Sequence, residues 1–226
     1  MAVITLPMFP LGTVLFPGAR LPLHIFEYRY RRLVRDLIQH TDDERPEFGV
    51  VAIRAGREVG AHGVESLYPV GCSAELIGVA PHDDGRFDIM TRGMRRFRIR
   101  RMHPPVDDRP DRADVEFPSE SPSPESPALA ASAARLFRRY RRAVLHAQGV
   151  DADEPFTLPE DPVGCSYLIA ATMVLDLTDR QRLLEAVTVD DRLTLAMELL
   201  RREIAVVGQL SARAGEELPR MPYSPN

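Results

Sequence analysis

Two apolar runs open the chain: Leu6-Pro7-Met8-Phe9-Pro10-Leu11 with Val14-Leu15-Phe16, then Leu21-Pro22-Leu23-His24-Ile25-Phe26. Pro17-Gly18 stands between them and marks a turn. Prolines at 7, 10, 17 and 22 keep the runs short, because each removes a ladder donor and belongs at an edge, a strand start or a bulge. From Glu27 to His40 the period changes. Apolar side chains at 30, 33, 34, 37 and 38 follow the stripe of a surface helix, which His40 to Asp43 should end. The opening predicts a folded-over β entry to a small barrel, closed by a helix.

Phe48 to Ile53 is a continuous apolar run suited to a strand buried on both faces. Arg54 to Gly63 has three glycines and no period, and is expected to be a mobile loop. Tyr68 to Val79 and Arg86 to Arg92 flank Pro81-His82-Asp83-Asp84-Gly85, a hairpin with Gly85 free to take positive φ. In Gly93 to Arg101, strict alternation puts Phe97 and Ile99 on one strand face and Arg96, Arg98 and Arg100 on the other. Asp111 to Phe117 adds a last strand.

Prolines and carboxylates then crowd the chain, and Pro118 to Pro127 reads as an extended linker. Ala128 to Gln148 is helical and stops at Gly149. Asp161 caps a helix that begins at Pro162, runs to about Leu175 and is apolar nearly all round. Thr178 with Gln181, and Thr188 with Asp191, read as capping boxes for two more helices. The expected architecture is α+β. A β-rich pseudo-barrel with one helix spans 1–117, a linker 118–127, a helical bundle 128–212 and a frayed tail 213–226.

Composition narrows the function. A net charge of -4 and a pI near 5.9 argue against a general polyanion binder. No apolar run is long enough to span a membrane, and the opening lacks a secretory signal, so the expected compartment is the cytoplasm. Cys72 and Cys165 lie far apart, form no metal-type pair and are expected to be buried free thiols. All 29 basic residues are arginine. Without lysine there is no phosphate-binding Walker lysine and no Ser-Lys dyad.

The six histidines show no metalloprotease spacing, and the turn around His82-Asp83-Asp84 accounts for that cluster without a metal. No nucleophile elbow or dinucleotide fingerprint is present. No catalytic residue, metal ligand or cofactor is expected.

Three phrases in the expected order carry a resemblance. Leu21-Pro22-Leu23-His24-Ile25-Phe26-Glu27 with Arg29-Tyr30, Gly93-x-x-Arg96-Phe97-x-Ile99, and Gln181-x-Leu183-Leu184-Glu185 with Arg192-Leu193 resemble the amino-terminal substrate-binding domain of Lon proteases. The likeness covers roughly residues 4 to 210 and is strongest to bacterial proteins built of that domain alone. Tyr28 stands where those usually have proline. The Lon-like domain of cereblon is a more distant likeness, and cereblon's paired-cysteine zinc domain has no counterpart here.

The resemblance implies a PUA-like pseudo-barrel followed by helices, without the ATPase and peptidase of a full Lon protease. It implies non-catalytic recognition of unfolded or tagged polypeptide, with a protease as a second partner. The surface expected to do this lies between the two parts and uses Leu11, Phe16, Phe26, Tyr28, Arg29 and Arg32. Val14, Leu15 and Leu23 are further apolar candidates, and the plainer role for most of these residues is core.

A second reading stays open. Arg92, Arg95, Arg96, Arg98, Arg100 and Arg101 around Phe97, and Arg135, Arg138, Arg139, Arg141 and Arg142 around Phe137 and Tyr140, could bind RNA by phosphate pairing and base stacking. The carboxylates of Asp107 to Glu125 stand ready to neutralise one of these runs, so polypeptide is the preferred partner.

Overall fold

The computed structural model describes residues 3–39, 46–56, 64–105, 107–150 and 156–217. Seven strands come first: β1 (Val3–Leu11), β2 (Arg20–Ile25), β3 (Glu47–Gly56), β4 (Val64–Leu67), β5 (Val70–Pro81), β6 (Phe87–His103) and β7 (Arg112–Glu116). Helix α1 (Tyr28–Gln39) interrupts them after β2. Helices α2 (Ser126–Ala147), α3 (Pro162–Thr172), α4 (Leu177–Glu185) and α5 (Val189–Glu217) follow. The fold is α+β, as expected. The residues read as a mobile loop at 57–63 and as a helix stop at 40–43 lie outside the described residues, as does 218–226.

The chain divides into two compact units. The first joins Met1–Glu120 to Ala170–Ala186; the second joins Ser121–Ile169 to Val187–Asn226. The chain therefore leaves the first unit within the proline-rich segment and returns to it for α4, a return the sequence pattern did not contain.

In the first unit the strands run β1-β7-β6-β5-β3-β4, and a further pairing of β1 with β3 closes a ring. β1 closes it by changing partners midway. Val3 to Pro7 pair antiparallel with β7, and Met8 to Leu11 pair parallel with β3. This is how one nine-residue strand accommodates Pro7 and Pro10, which were expected to cut it short. Side-chain alternation divides β1 between two cores. Leu6 and Met8 pack with Val51, Phe97, Ala113 and Val115, while Phe9 and Leu11 pack with Tyr30, Leu33 and Val34 of α1. Ile38, placed on the apolar stripe by its spacing, is exposed at the helix margin.

Glycine makes room in the ring. A Cβ on Gly71 would meet Phe97 Cζ and the Val50 carbonyl oxygen, each at 2.5 Å. Gly18 and Gly85 take φ of +80° and +81°, as the two turns require.

Arg96 departs from the sequence reading. It was grouped with Arg98 and Arg100 on the strand face away from Phe97 and within a candidate RNA-binding run, yet it is buried, as is Phe97. A bulge places an extra β6 residue between Gly93 and Arg96, but the register is regular from Arg96 to Arg98, so Arg96 still faces away from Phe97; its face is covered by the end of α4. Arg96 pairs with Glu120 at 2.7 Å and donates to the carbonyls of Leu184, at 3.2 Å, and Ala186, where α4 ends.

The other polar residues of α4 also reach the sheet. Arg180 donates to the Val14 carbonyl at 3.0 Å and lies over the Phe16 ring. Gln181 donates to the Val70 carbonyl at 3.0 Å. The cap of this helix is Asp176, which accepts from the Asp179 amide, so the expected Thr178–Gln181 box does not form; Gln181 is spent on the sheet instead.

The second unit is helical. Thr188 and Asp191 form the expected box at the start of α5, and Asp161 caps α3 through the Gly164 amide. Gly149, with φ of +70°, ends the α2 turn. Asp190 accepts from the hydroxyls of Ser123 and Ser126, and these bonds hold its carboxyl below the usual range. Arg192 is fully buried, donates to Ser166 at 2.9 Å and stacks over Tyr167 at 3.7 Å. α5 continues as helix to Glu217, past the point where the tail was expected to fray.

Both cysteines are free and buried, and burial pushes both thiols up. Neither should react with a chromogenic disulfide reagent in the folded chain, whereas both should react at once in guanidinium. One fast-reacting native thiol would contradict this packing.

Candidate binding groove

The opening strands and α1 enclose two concavities in the first unit. The more apolar is a groove of about 210 Å³ lined chiefly by Phe9, Pro10, Leu11, Leu23, Ile25 and Phe26, with Tyr30 and His24 also contributing. Its floor is rigid: Phe9, Leu11, Ile25 and Tyr30 are buried, and Phe9 stacks on Tyr30 at 4.1 Å between centroids. Its rim is open, because Phe26 is 48% exposed; Tyr28, close by in sequence at the start of α1 but outside the lining, is 54% exposed. An exposed aromatic side chain is informative only where it adjoins further apolar surface, as Phe26 does here.

The groove runs beside β2. Among the described residues β2 pairs only with β6, from Arg20↔Arg92 to Ile25↔Phe87, so its other edge carries no strand. Pro22 removes one donor from this strand, which weakens it as a template for further sheet.

The expected site residues fall into different places. Leu11 forms the groove floor and Phe26 its rim, while Tyr28 is exposed at the start of α1. Arg29 is tied to Glu27 at 3.0 Å and lies over the Tyr30 ring, 4.6 Å from its centroid. Phe16 is fully buried and not available to a ligand. Arg32 faces the second concavity, a cleft of about 510 Å³ whose lining mixes Arg32, Arg109 and Arg112 with Asp36 and Glu47. That cleft is larger but is lined by both signs of charge, so it suits a polar ligand.

Phe9, Pro10 and Ile25 also belong to the groove and were not named as site residues, although they lie on the opening runs; Tyr30 falls within the 28–32 stretch expected to take part. Phe9-Pro10-Leu11 adjoining a second proline-bearing run was the available signal. The structure also gathers His24, His82 and Asp88. His24 Nδ1 stands 2.6 Å from one Asp88 oxygen and His82 Nε2 stands 2.7 Å from the other, and all three residues are exposed. The hydrogen bond from His24, then that from His82, holds the Asp88 carboxyl below its usual range. Nearby, Arg86 lowers the Asp84 carboxyl to about 2.

Four arginines of the strand run are engaged. Arg92 pairs with Glu75, Arg95 stacks over Phe117, Arg96 pairs with Glu120 and Arg100 with Glu116. Phe97, Phe137 and Tyr140, the rings that would stack on bases, are all buried. No described helix is long and apolar enough to cross a membrane.

Comparison with known proteins agrees with this fold. Residues 5–202 match the family described as the ATP-dependent protease La (LON) substrate-binding domain. Lon protease 2 of Myxococcus xanthus is 29% identical over 202 residues, 88% of this chain and 24% of that protein. Lon protease 2 of Herpetosiphon aurantiacus is 30% identical over 210 residues, 90% of this chain and 24% of that protein. The chain thus spans about a quarter of the length of the curated relatives it matches. Among solved structures, a Lon N-terminal domain protein from Xanthomonas campestris is 25% identical with a TM-score of 0.58, covering 84% of this chain and 95% of that one. The N-terminal domain of the Mycobacterium avium complex Lon protease shares the fold at a TM-score of 0.64 and 18% identity, covering 88% of this chain and 98% of that one. With the match running through both the ring and the helices that follow it, the chain belongs to the Lon substrate-binding domain family.

Proposed function

We propose that the chain recognises unfolded or tagged polypeptide without catalysing a reaction on it, and that it serves in the cytoplasm as an adaptor presenting clients to a protease. The observation that carries this reading is the apolar groove with an aromatic rim beside the unpaired edge of β2. An extended chain lying there would put apolar side chains against Leu11, Leu23 and Phe26 while its backbone follows the strand edge. Family membership supports the substrate class. The buried rings and the ion-paired arginines of the strand run favour polypeptide over RNA.

The test is fluorescence anisotropy of a labelled, permanently unfolded polypeptide titrated with the protein at low and high salt, with labelled single-stranded RNA alongside. Saturable polypeptide binding that survives high salt is expected. The Phe26→Ala/Tyr28→Ala double variant should weaken it about tenfold, the worth of one well-buried aromatic contact. Both side chains are exposed, so stability should move by no more than about 0.5 kcal/mol. Binding to RNA alone, falling with salt at a log–log slope near -0.7 per phosphate contacted, would overturn the proposal.

A further inference from the structure

We propose that His24, His82 and Asp88 form a binding site for a divalent transition metal of the zinc class. Two imidazoles and a carboxylate are the donor set such ions take, and they disfavour magnesium and calcium, which ask for oxygen alone. The donor atoms of the three residues all lie within 4.8 Å of one another. Around a zinc ion with bonds of about 2.0–2.2 Å, tetrahedral donors stand roughly 3.4 Å apart, so small ring movements admit the ion.

The backbone holds the three residues together without any metal. His24 and Asp88 are register partners on β2 and β6, so their side chains share one face by construction. His82 is fixed by the hairpin, its amide donating to the Arg86 carbonyl at 2.9 Å and its carbonyl accepting from Gly85 at 2.9 Å. The site is therefore assembled from two strands and a tight turn.

Protonation is consistent with ligation. If His24 binds through Nδ1, its Nε2 carries the proton, and Arg86, 3.5 Å from that nitrogen, stays with Asp84, to which it is already bound at 2.6 Å. The ion takes the place of the two hydrogen bonds between the imidazoles and Asp88, each ring keeping its proton on the nitrogen away from the ion. All three ligands are exposed, which leaves a coordination position toward solvent. The His24 ring lies 6.3 Å from the Phe26 ring, which places this position at the groove rim, although the metal site does not depend on the polypeptide reading.

The experiment uses the full chain, stripped with a chelator, dialysed, and titrated with zinc chloride in competition with a chromophoric chelator. One zinc per chain is expected. His24→Ala and His82→Ala should each weaken binding at least about tenfold, the least that loss of a group supporting a metal site costs. His103→Ala, which removes a histidine paired with Asp114 elsewhere, should leave binding unchanged. A second measurement needs no variant: side-chain nitrogen NMR of the unaltered chain should show zinc shifting His24 Nδ1 and His82 Nε2. Unmoved nitrogens, or zinc affinity equal in all three variants, would overturn the site and leave a hydrogen-bonded His–Asp–His cluster only.

Discussion

Replacing Arg96 by methionine should destabilise the folded chain by about 3 kcal/mol, the lower end of the cost of breaking a buried ion pair from one side. For a chain of this size that is a fall of roughly 6–12 °C in melting temperature. Methionine fills much of the same volume, so the loss is electrostatic rather than a cavity. Glu120 loses its buried partner, and the Leu184 and Ala186 carbonyls at the end of α4 lose their donor. Those carbonyls are the unsatisfied acceptors every helix leaves at its C-terminus, where a cation is also favoured by the helix dipole. Denaturant melts of Arg96→Met and Arg100→Met give the comparison. Arg100 pairs with Glu116 at a site where its side chain is 55% exposed, and its loss should cost under about 1 kcal/mol. Equal costs for the two would refute the structural role assigned to Arg96.

Arg96 also shows where a pattern in sequence stops being informative. Most strands, the hairpin at Gly85 and most helix starts were legible, because each rests on a local signal: a period of two, a turn glycine, or an Asp or Thr before a helix; β4 and the end of β3 carry none and were not read. Alternation put Phe97 and Arg96 on opposite faces, which holds, but it could not show that both faces are covered. What covers the second face, the end of α4, arrives from far along the chain and leaves no mark in the strand's own residues. The cap of α4 was misread because Asp176 and Thr178 are both good caps, and the choice fell to Gln181, whose amide is taken by Val70 on a distant strand.

The same limit governed the sites. Leu11 and Phe26 were found because apolar runs are visible in one dimension, whereas Phe16, from the same run, is core. Arg32 belongs to a cleft whose other cations, Arg109 and Arg112, arrive from far along the chain. His82 was set aside as part of a turn. Its partner His24 is brought in by the β2–β6 register, which no spacing within the sequence expresses.

Gly93→Ala should cost about 3 kcal/mol or more, although it adds one methyl group on an ordinary strand. The added Cβ would stand 2.2 Å from the Phe16 carbonyl oxygen and 3.0 Å from its carbon, and backbone gives way less than a side chain tip. Nor can the two segments separate cheaply. The Gly18 amide donates to the Gly93 carbonyl at 2.8 Å, and the Gly93 amide donates to the Ala19 carbonyl at 2.9 Å. Relieving the clash means lifting the Pro17–Ala19 turn from β6 and disturbing Phe16 with the Arg180 that lies over it. Gly78→Ala separates sterics from the general effect of filling a strand glycine. Its Cβ would meet only Met90 Cβ, at 3.5 Å, and the change should be near neutral. A second readout comes from Cys72, whose sulfur lies 3.1 Å from the new methyl group. If the turn lifts, this thiol, inert in the parent chain, should become reactive in folded Gly93→Ala, whereas Gly78→Ala should keep it protected. A Gly93→Ala chain with parent stability and a protected thiol would mean that β6 and the opening turn do not approach this closely.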